Sequence, residues 1–126
     1  MATSTIKKAV LSLVTTWTNS DPSQAFTSQT VNIGITNAKG VTIEFREHST
    51  ATRLFSLTLM SDTFVNGKLD GFTYTNQPYV YYLRPFSFDP VDGTVTFASA
   101  YPMTAYGTYG TVNNLYAVPY RIIAIY

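Results

Sequence analysis

Hydrophobic residues in this chain recur at every second position in a series of short runs. Val31, Ile33 and Ile35 alternate with Asn32, Gly34 and Thr36. Val41, Ile43 and Phe45 alternate with Thr42, Glu44 and Arg46. A period of two marks a strand with one apolar and one polar face. Asn37-Ala38-Lys39-Gly40 between the runs reads as a turn, so Val31–Ile35 and Val41–Phe45 predict a β-hairpin. His48–Thr52 makes the next turn, after which Phe55, Leu57 and Leu59 share a face opposite Ser56 and Thr58. Asn66-Gly67 is a tight-hairpin signal, followed by a short strand over Leu69–Thr75 with Gly71 as its weak point. Tyr79-Val80-Tyr81-Tyr82-Leu83-Arg84 is strongly β-prone. Pro85 has no N–H to give to a ladder, so it ends that pairing or places it at an edge. Asp89–Gly93 turns the chain into Thr94–Ala98, with Val95 and Phe97 inward. Tyr116–Tyr126 closes the chain as an aromatic and β-branched strand, in which Pro119 marks an edge, a bend or the start.

The first residues carry less pattern. Leu11 and Leu13 share a strand face, and the Thr-rich, β-branched run favours strand over a helical turn. Asp21-Pro22-Ser23 is a turn or the first turn of a short helix. Turn signals every 8–12 residues indicate an all-β fold. The expectation is one domain over residues 1–126, an antiparallel β-sandwich, jelly-roll-like, of about eight to ten strands. Its predicted core is Val31, Ile33, Val41, Ile43, Phe45, Phe55, Leu57, Val95, Phe97, Ile123 and Ile125, or the alternate-face neighbour Ile122.

Composition narrows the function classes. A chain of 126 residues buries about two-thirds of the surface its unfolded form exposes. The net charge is +1, which leaves no electrostatic footprint for nucleic acid. Charged residues make up 12% of the chain, against about a quarter in a usual soluble domain. Tyr occurs 10 times and Phe 8 times, more than the inward positions of one sandwich can enclose. Interfaces are poor in Lys, Glu and Asp and rich in aromatics, so a homo-oligomer is expected. Without cysteine there is no disulfide, thiol nucleophile or thiolate metal site. No apolar run approaches the ~20 residues that span a bilayer, so no membrane insertion is expected. Lys7 and Lys8 precede the apolar stretch Ala9–Val14, but no small-residue cleavage site follows. Release from a cell is therefore expected by lysis rather than by a secretory signal.

Catalytic constellations are sparse. His48 is the sole histidine; strand alternation puts Glu44 and Glu47 on opposite faces beside it, so a metal site there, with Asp62 as a further ligand, converges poorly. It reads as a solvated turn histidine. Asp89 and Asp92 share a turn in which Asp is favoured for backbone reasons alone. No carboxylate pair or Ser/His arrangement stands out, so neither an enzyme nor a cofactor is expected. Tyr101, Tyr106 and Tyr109 lie in a Tyr/Gly/Thr/Asn segment of paratope-like composition, Ala100–Asn114. With Tyr116, Trp17 and the cluster Tyr79, Tyr81 and Tyr82, they could form a platform for a glycan or receptor; packing is the alternative. Arg84 and Arg121 lie in apolar strands and are costly to bury unpaired. Either the strand face is exposed or a carboxylate such as Glu44 answers them.

Several segments together carry a resemblance. They are Trp17-Thr18-Asn19, Phe26-x-x-Gln29-Thr30-Val31, Val41-Thr42-Ile43-Glu44-Phe45, Gly93-x-Val95-Thr96-Phe97, Tyr101 and Asn113-Asn114-x-Tyr116-x-x-Pro119-Tyr120-x-Ile122. In this order the chain resembles small prophage-encoded minor structural and tail proteins of tailed phages of Gram-positive, gut-associated bacteria. The resemblance implies a virion component, made in the host bacterial cytoplasm and placed at a tail tip, baseplate or fibre for assembly or host adsorption. A capsid decoration or head-fibre protein is the alternative within the particle. A carbohydrate-binding module for host cell-surface glycan is the alternative from another class. By family analogy the oligomer is a trimer, with other virion proteins as further partners. The segments expected at an interface are edge-like: Tyr79, Tyr81 and Tyr82, and Tyr116, Tyr120 and Tyr126.

Overall fold

The computed structural model describes residues 11–60, 69–77, 80–104 and 110–126. Nine strands are present among the described residues: β1 (Leu13–Thr18), β2 (Gln29–Asn32), β3 (Gly40–His48), β4 (Leu54–Met60), β5 (Leu69–Gln77), β6 (Val80–Asp89), β7 (Thr94–Phe97), β8 (Tyr101–Thr104) and β9 (Tyr116–Ile125). One sheet has the order β1-β9-β3-β4. The other runs β2-β7-β6-β5, with β8 paired to β6 as a fifth strand. All pairings are antiparallel. Distant segments close both sheets, β1 on β9 and β2 on β7, while β3–β4, β5–β6 and β6–β7 are hairpins.

The core lies between the sheets. Val41, Ile43 and Phe45 of β3 are fully buried, as are Phe88 and Val95 opposite them. Phe45 touches Phe86 and Phe97 of the second sheet at ring-centroid distances of 5.7 and 6.3 Å. Trp17 meets Phe26 at 5.8 Å, and Phe26 meets Phe97 edge-on at 5.4 Å, so the aromatic chain reaches from β1 into both layers. Phe55 and Leu57 are only half-buried against this core, because β4 is the last strand of its sheet. At the end of the chain Ile122 is fully buried, while Ile123 faces outward and Ile125 is buried at the strand's end.

The predicted Val31–Ile35/Val41–Phe45 hairpin does not form. β2 pairs with β7 and β3 with β4 and β9, in different sheets. Alternation states only that each run has an apolar face; it is silent on the partner. The intervening loop crosses from sheet to sheet with Gly34 and Asn37 at φ +71° and +57°. It is held at both ends: the Ile33 and Asn37 amides donate to the Gly93 and Pro90 carbonyls, and the Lys39 amide donates to Ile125 O. Likewise β4 and β5 belong to different sheets, so they form no hairpin; Asn66-Gly67 itself lies outside the described residues.

Pro85 lies neither at a strand end nor at an edge, and Pro119 lies at a bulge, the bend among the alternatives expected for it. β6 runs unbroken through Pro85, with β5 along its whole length on one side. Its other side is shared by β7, against Phe86–Asp89, and β8, against Val80–Leu83. Pro85 falls in the gap, where its carbonyl accepts from the Ala98 amide at 2.9 Å. A strand residue presents its N and O to the same neighbour, so the absent donor also faces the gap. Pro119 sits in β9, an interior strand between β1 and β3. The β3–β9 register shifts between Glu44 and Phe45, whose partners are Arg121 and Pro119, leaving Tyr120 as the extra residue of a bulge. Asn19 Nδ2 donates to Pro119 O at 2.8 Å, just past the end of β1. The expected edge character of Tyr79–Tyr82 and Tyr116–Tyr126 is thereby corrected: β6 and β9 are both flanked on two sides, and Tyr79 lies outside the described residues.

The β6–β7 turn offers a test of this scaffold. Asp89 Oδ1 accepts from the amides of Val91 and Asp92, both at 3.1 Å. Gly93 follows at φ +68°, and a Cβ placed on it would lie 2.4 Å from the Ile35 carbonyl oxygen. Gly34 has φ +71° but open space around it. Gly34→Ala should lose only the left-handed-region cost, about 1 kcal/mol. Gly93→Ala adds a backbone clash and should lose on the order of 3 kcal/mol. Urea unfolding of the two variants measures the difference; equal midpoints would remove the Ile35 contact from the explanation.

Candidate functional site

Arg84 is the largest fully buried side chain, at 0% exposure. It projects from β6 on the same face as Phe86 and Phe88, the face between the sheets. A cation there needs every donor answered, and each is. Nε donates to Ala117 O at 2.7 Å. Nη1 donates to Phe26 O at 2.9 Å and to Ala98 O at 2.8 Å. Nη2 donates to Tyr116 O at 3.1 Å and Asn114 O at 3.3 Å. The guanidinium also lies over the Phe26 ring, 5.5 Å from its centroid. No carboxylate among the described residues takes part, contrary to the sequence expectation. Burial lowers the Arg84 pKa to about 10, which still leaves it protonated at neutral pH.

Local backbone geometry makes this possible. Carbonyls of consecutive strand residues point to opposite sides, yet those of Tyr116 and Ala117 both reach Arg84. Ala117 has φ +47°, which breaks the alternation at the start of β9. The Phe26 amide donates to Asn114 O, the Asn113 amide to Ala100 O, and the Ala100 amide to Asn114 Oδ1. The loops that supply the carbonyls are thus tied to one another.

Beside this clasp stands an aromatic tier. Tyr82 of β6 and Tyr116 of β9 stack with ring centroids 3.5 Å apart and planes within 5°. His48, at the end of β3, meets Tyr116 edge to face at 4.6 Å. Burial raises the Tyr82 pKa above its ordinary value, helped by its hydrogen bond to Tyr116. His48 is half-buried rather than freely solvated: its Nδ1 accepts from the Thr50 amide at 3.1 Å and lies 2.9 Å from Thr50 Oγ1. One turn of β-structure away, Arg46 lies over the Tyr120 ring, 5.4 Å from its centroid.

The residues expected at an interface do not form one patch. Tyr82 and Tyr116 come together, but on each other. Tyr126, 47% exposed, lies at the far end of β9 from Tyr116, roughly 30 Å along the strand. Tyr81 stands opposite Met103, and half-buried Tyr101 opposite Leu83. Tyr79, Tyr106 and Tyr109 lie outside the described residues. Trp17 belongs to the core aromatic chain.

Surface hollows among the described residues include two of note. One, of about 430 Å³, is lined by Ser28, Pro85, Phe86, Ser87, Thr96, Phe97 and Ala98. The other, of about 180 Å³, holds Glu44 and Arg121 beside Leu54, Phe55 and Ser56. Arg121 does find the carboxylate anticipated for it: Nη2 and Nε donate to Glu44 Oε1 and Oε2 at 2.7 and 3.1 Å. No group of three or more His, Cys, Asp or Glu converges among the described residues.

The two arginines should separate cleanly on mutation. Arg84→Met orphans the buried carbonyls and should destabilise by about 3–5 kcal/mol, with Arg84→Lys in between because an ammonium lacks the planar fork. Arg121→Met should leave the urea midpoint near that of the parent, since that pair is solvent-screened. In tyrosine 13Cζ NMR titrations, the Tyr82 resonance should titrate above the ordinary tyrosine value. It should vanish in Tyr82→Phe and move down in Tyr116→Phe. An unchanged late resonance in Tyr82→Phe would put the shifted hydroxyl elsewhere.

Compared with protein-family models, curated proteins and solved structures, the chain returns no match. What the protein does therefore has to be argued from its own residues.

Proposed function

We propose that the protein is a non-enzymatic structural component of a tailed-phage virion, placed at the tail tip, baseplate or a fibre. The observation that carries the reading is a low-charge sandwich that leaves large apolar side chains in solvent. Leu13 and Val91 are each 67% exposed, Val112 54% and Leu11 48%. Only 15 of 126 residues are charged, 8 basic and 7 acidic. Such a surface suits permanent contact with other chains better than a free monomeric life. The sequence resemblance to small prophage-encoded tail proteins points the same way and supplies the particle. Other virion proteins are then its neighbours, and lysis releases it.

A carbohydrate-binding module is the reading from a different class. It needs aromatic faces free for sugar. Tyr82 and Tyr116 spend one face each on their mutual stack, and no tyrosine lines the larger hollow. This weighs toward packing.

Mass spectrometry of purified phage from an induced lysogen separates the readings. The protein should appear in particles at a fixed copy number, while the purified chain leaves host cell walls unbound. Absence from washed particles, together with saturable binding to cell-wall glycan, would replace the virion reading by the lectin one.

A further inference from the structure

Two rings of this protein adopt an arrangement that aromatic pairs ordinarily avoid. Ring quadrupoles favour offset or edge-to-face pairs with centroids about 4.5–7 Å apart. Tyr82 and Tyr116 instead lie face to face, with centroids 3.5 Å apart and planes within 5°. Carbon atoms in contact are themselves about 3.5–4.0 Å apart, so the rings have almost no sideways offset. The two hydroxyls share a hydrogen bond, which sets the stack head to head. Each Cε, ortho to its hydroxyl, therefore lies over a Cε of the other ring. The position is imposed from outside the pair. Tyr82 is carried by β6 and Tyr116 by β9, strands of different sheets, and Arg84 Nη2 holds the Tyr116 carbonyl at 3.1 Å. His48 packs edge to face on Tyr116 at 4.6 Å.

We propose that Tyr82 and Tyr116 form an oxidative coupling site, at which a one-electron oxidant joins them, Cε to Cε, into a bityrosine that ties β6 to β9 across the two sheets. Each tyrosine gives one electron to the oxidant and its phenolic proton to water, leaving two phenoxyl radicals. Spin in a phenoxyl lies on the oxygen and on the ring carbons ortho and para to it. The para carbon is bonded to Cβ, so the ortho carbons are the ones free to couple. Their two unpaired electrons form the Cε–Cε bond. Each coupled carbon then loses its hydrogen as a proton and each ring oxygen regains one, which restores both aromatic rings. In total two electrons and two protons leave the pair. They consume two equivalents of a one-electron oxidant, or one hydrogen peroxide reduced to two waters through a haem peroxidase.

The stack favours the first step. A positive hole is shared between two cofacial rings, and the repulsion of their electron-rich faces is relieved. Tyr120 is disfavoured by the same reasoning, because the Arg46 guanidinium already lies over its ring, 5.4 Å from the centroid. Tyr82 and Tyr116 are both half-buried, so the rings have room to open about the new bond. Without cysteine the chain makes no disulfide, and this pair supplies a redox staple in its place. A bond between residues 82 and 116 closes a loop of about 34 residues and restricts the unfolded chain. The inference does not depend on the virion reading.

Dilute protein treated with photogenerated Ru(III) tris-bipyridyl, a one-electron oxidant, tests the site. The monomer should lose the mass of two hydrogens and gain bityrosine fluorescence, at a rate that dilution does not change. Asp-N protease cuts before Asp70, Asp89 and Asp92, so the product should hold fragments 70–88 and 92–126 together through Tyr82 and Tyr116. Tyr82→Phe and Tyr116→Phe should each lower the intramolecular yield about tenfold or more, as should unfolding the parent in urea before oxidation. Tyr120→Phe and Tyr126→Phe should leave the yield unchanged. The coupled parent should unfold at a higher urea midpoint than the untreated protein. Circular dichroism checks that the Phe variants are folded, and the fragment map of the parent stands whether or not they are. A link mapped to other tyrosines, a yield undiminished in both stack variants, or a yield undiminished in urea would each overturn the proposal.

Discussion

The fold depends on one buried cation. Arg84 brings a full charge between two sheets, and no anion among the described residues meets it. Its five hydrogen bonds come from Phe26, Ala98, Asn114, Tyr116 and Ala117, carbonyls on three separate stretches of chain. Partial satisfaction is of little use, because each unanswered donor in a low-dielectric site costs roughly 1–3 kcal/mol or more. All three stretches must therefore be in place together. Ala117 in the left-handed region and the break between β7 and β8 at Ala98 both make sense as features that aim carbonyls at the guanidinium. A carboxylate would have neutralised the charge but held only one segment.

The aromatic residues follow from that arrangement. At the end of the sandwich where Arg84 gathers the loops, regular side-chain interdigitation gives out. Tyr82 comes from one sheet, and Tyr116 and His48 from the other, so their tier closes the end with flat rings while hydroxyl and imidazole groups stay near water. The tyrosine excess that reads in sequence as an interface is thus partly internal. Apart from Tyr126, the large apolar side chains exposed among the described residues are aliphatic and distributed: Leu13 on one edge strand, Leu54 on the other, Val91 and Val112 on loops.

Strand content was legible because alternation is a local property. Val95 and Phe97, or Val41, Ile43 and Phe45, declare their faces without any knowledge of neighbours. Sheet membership was not legible for the same reason. Gly34 and Asn37 have the composition of a hairpin turn, and their positive φ values equally serve a crossover. Pro85, and the edge reading of Pro119, misled because a missing N–H excludes a strand interior only if a partner sits opposite. A gap between two short strands in one case, and a bulge beyond the end of β1 in the other, removed that partner. Arg121 and Glu44 could be paired from sequence, since both are polar-face residues awaiting a register. The Arg84 clasp could not, because backbone carbonyls carry no sequence signature. The hint available was a lone arginine in an apolar strand next to a proline.

The polar contacts of this protein share one property. Thr42 and Thr58 pair through hydroxyls at 2.8 Å on the outer face of one sheet, and Thr30 and Thr96 at 3.0 Å on that of the other. Asn19, Asn32 and Asp89 cap backbone amides or carbonyls in turns. Arg84 binds carbonyls. Apart from the Glu44–Arg121 pair, these contacts do not require two opposite charges to find each other, so salt screening has little to act on. Hydroxyl rows on both outer faces also keep a sparsely charged surface wetted without the long, mobile Lys and Glu side chains that resist close approach by another protein. Low charge is then neither an accident of composition nor a cost to stability. It follows from building a sandwich on neutral acceptors.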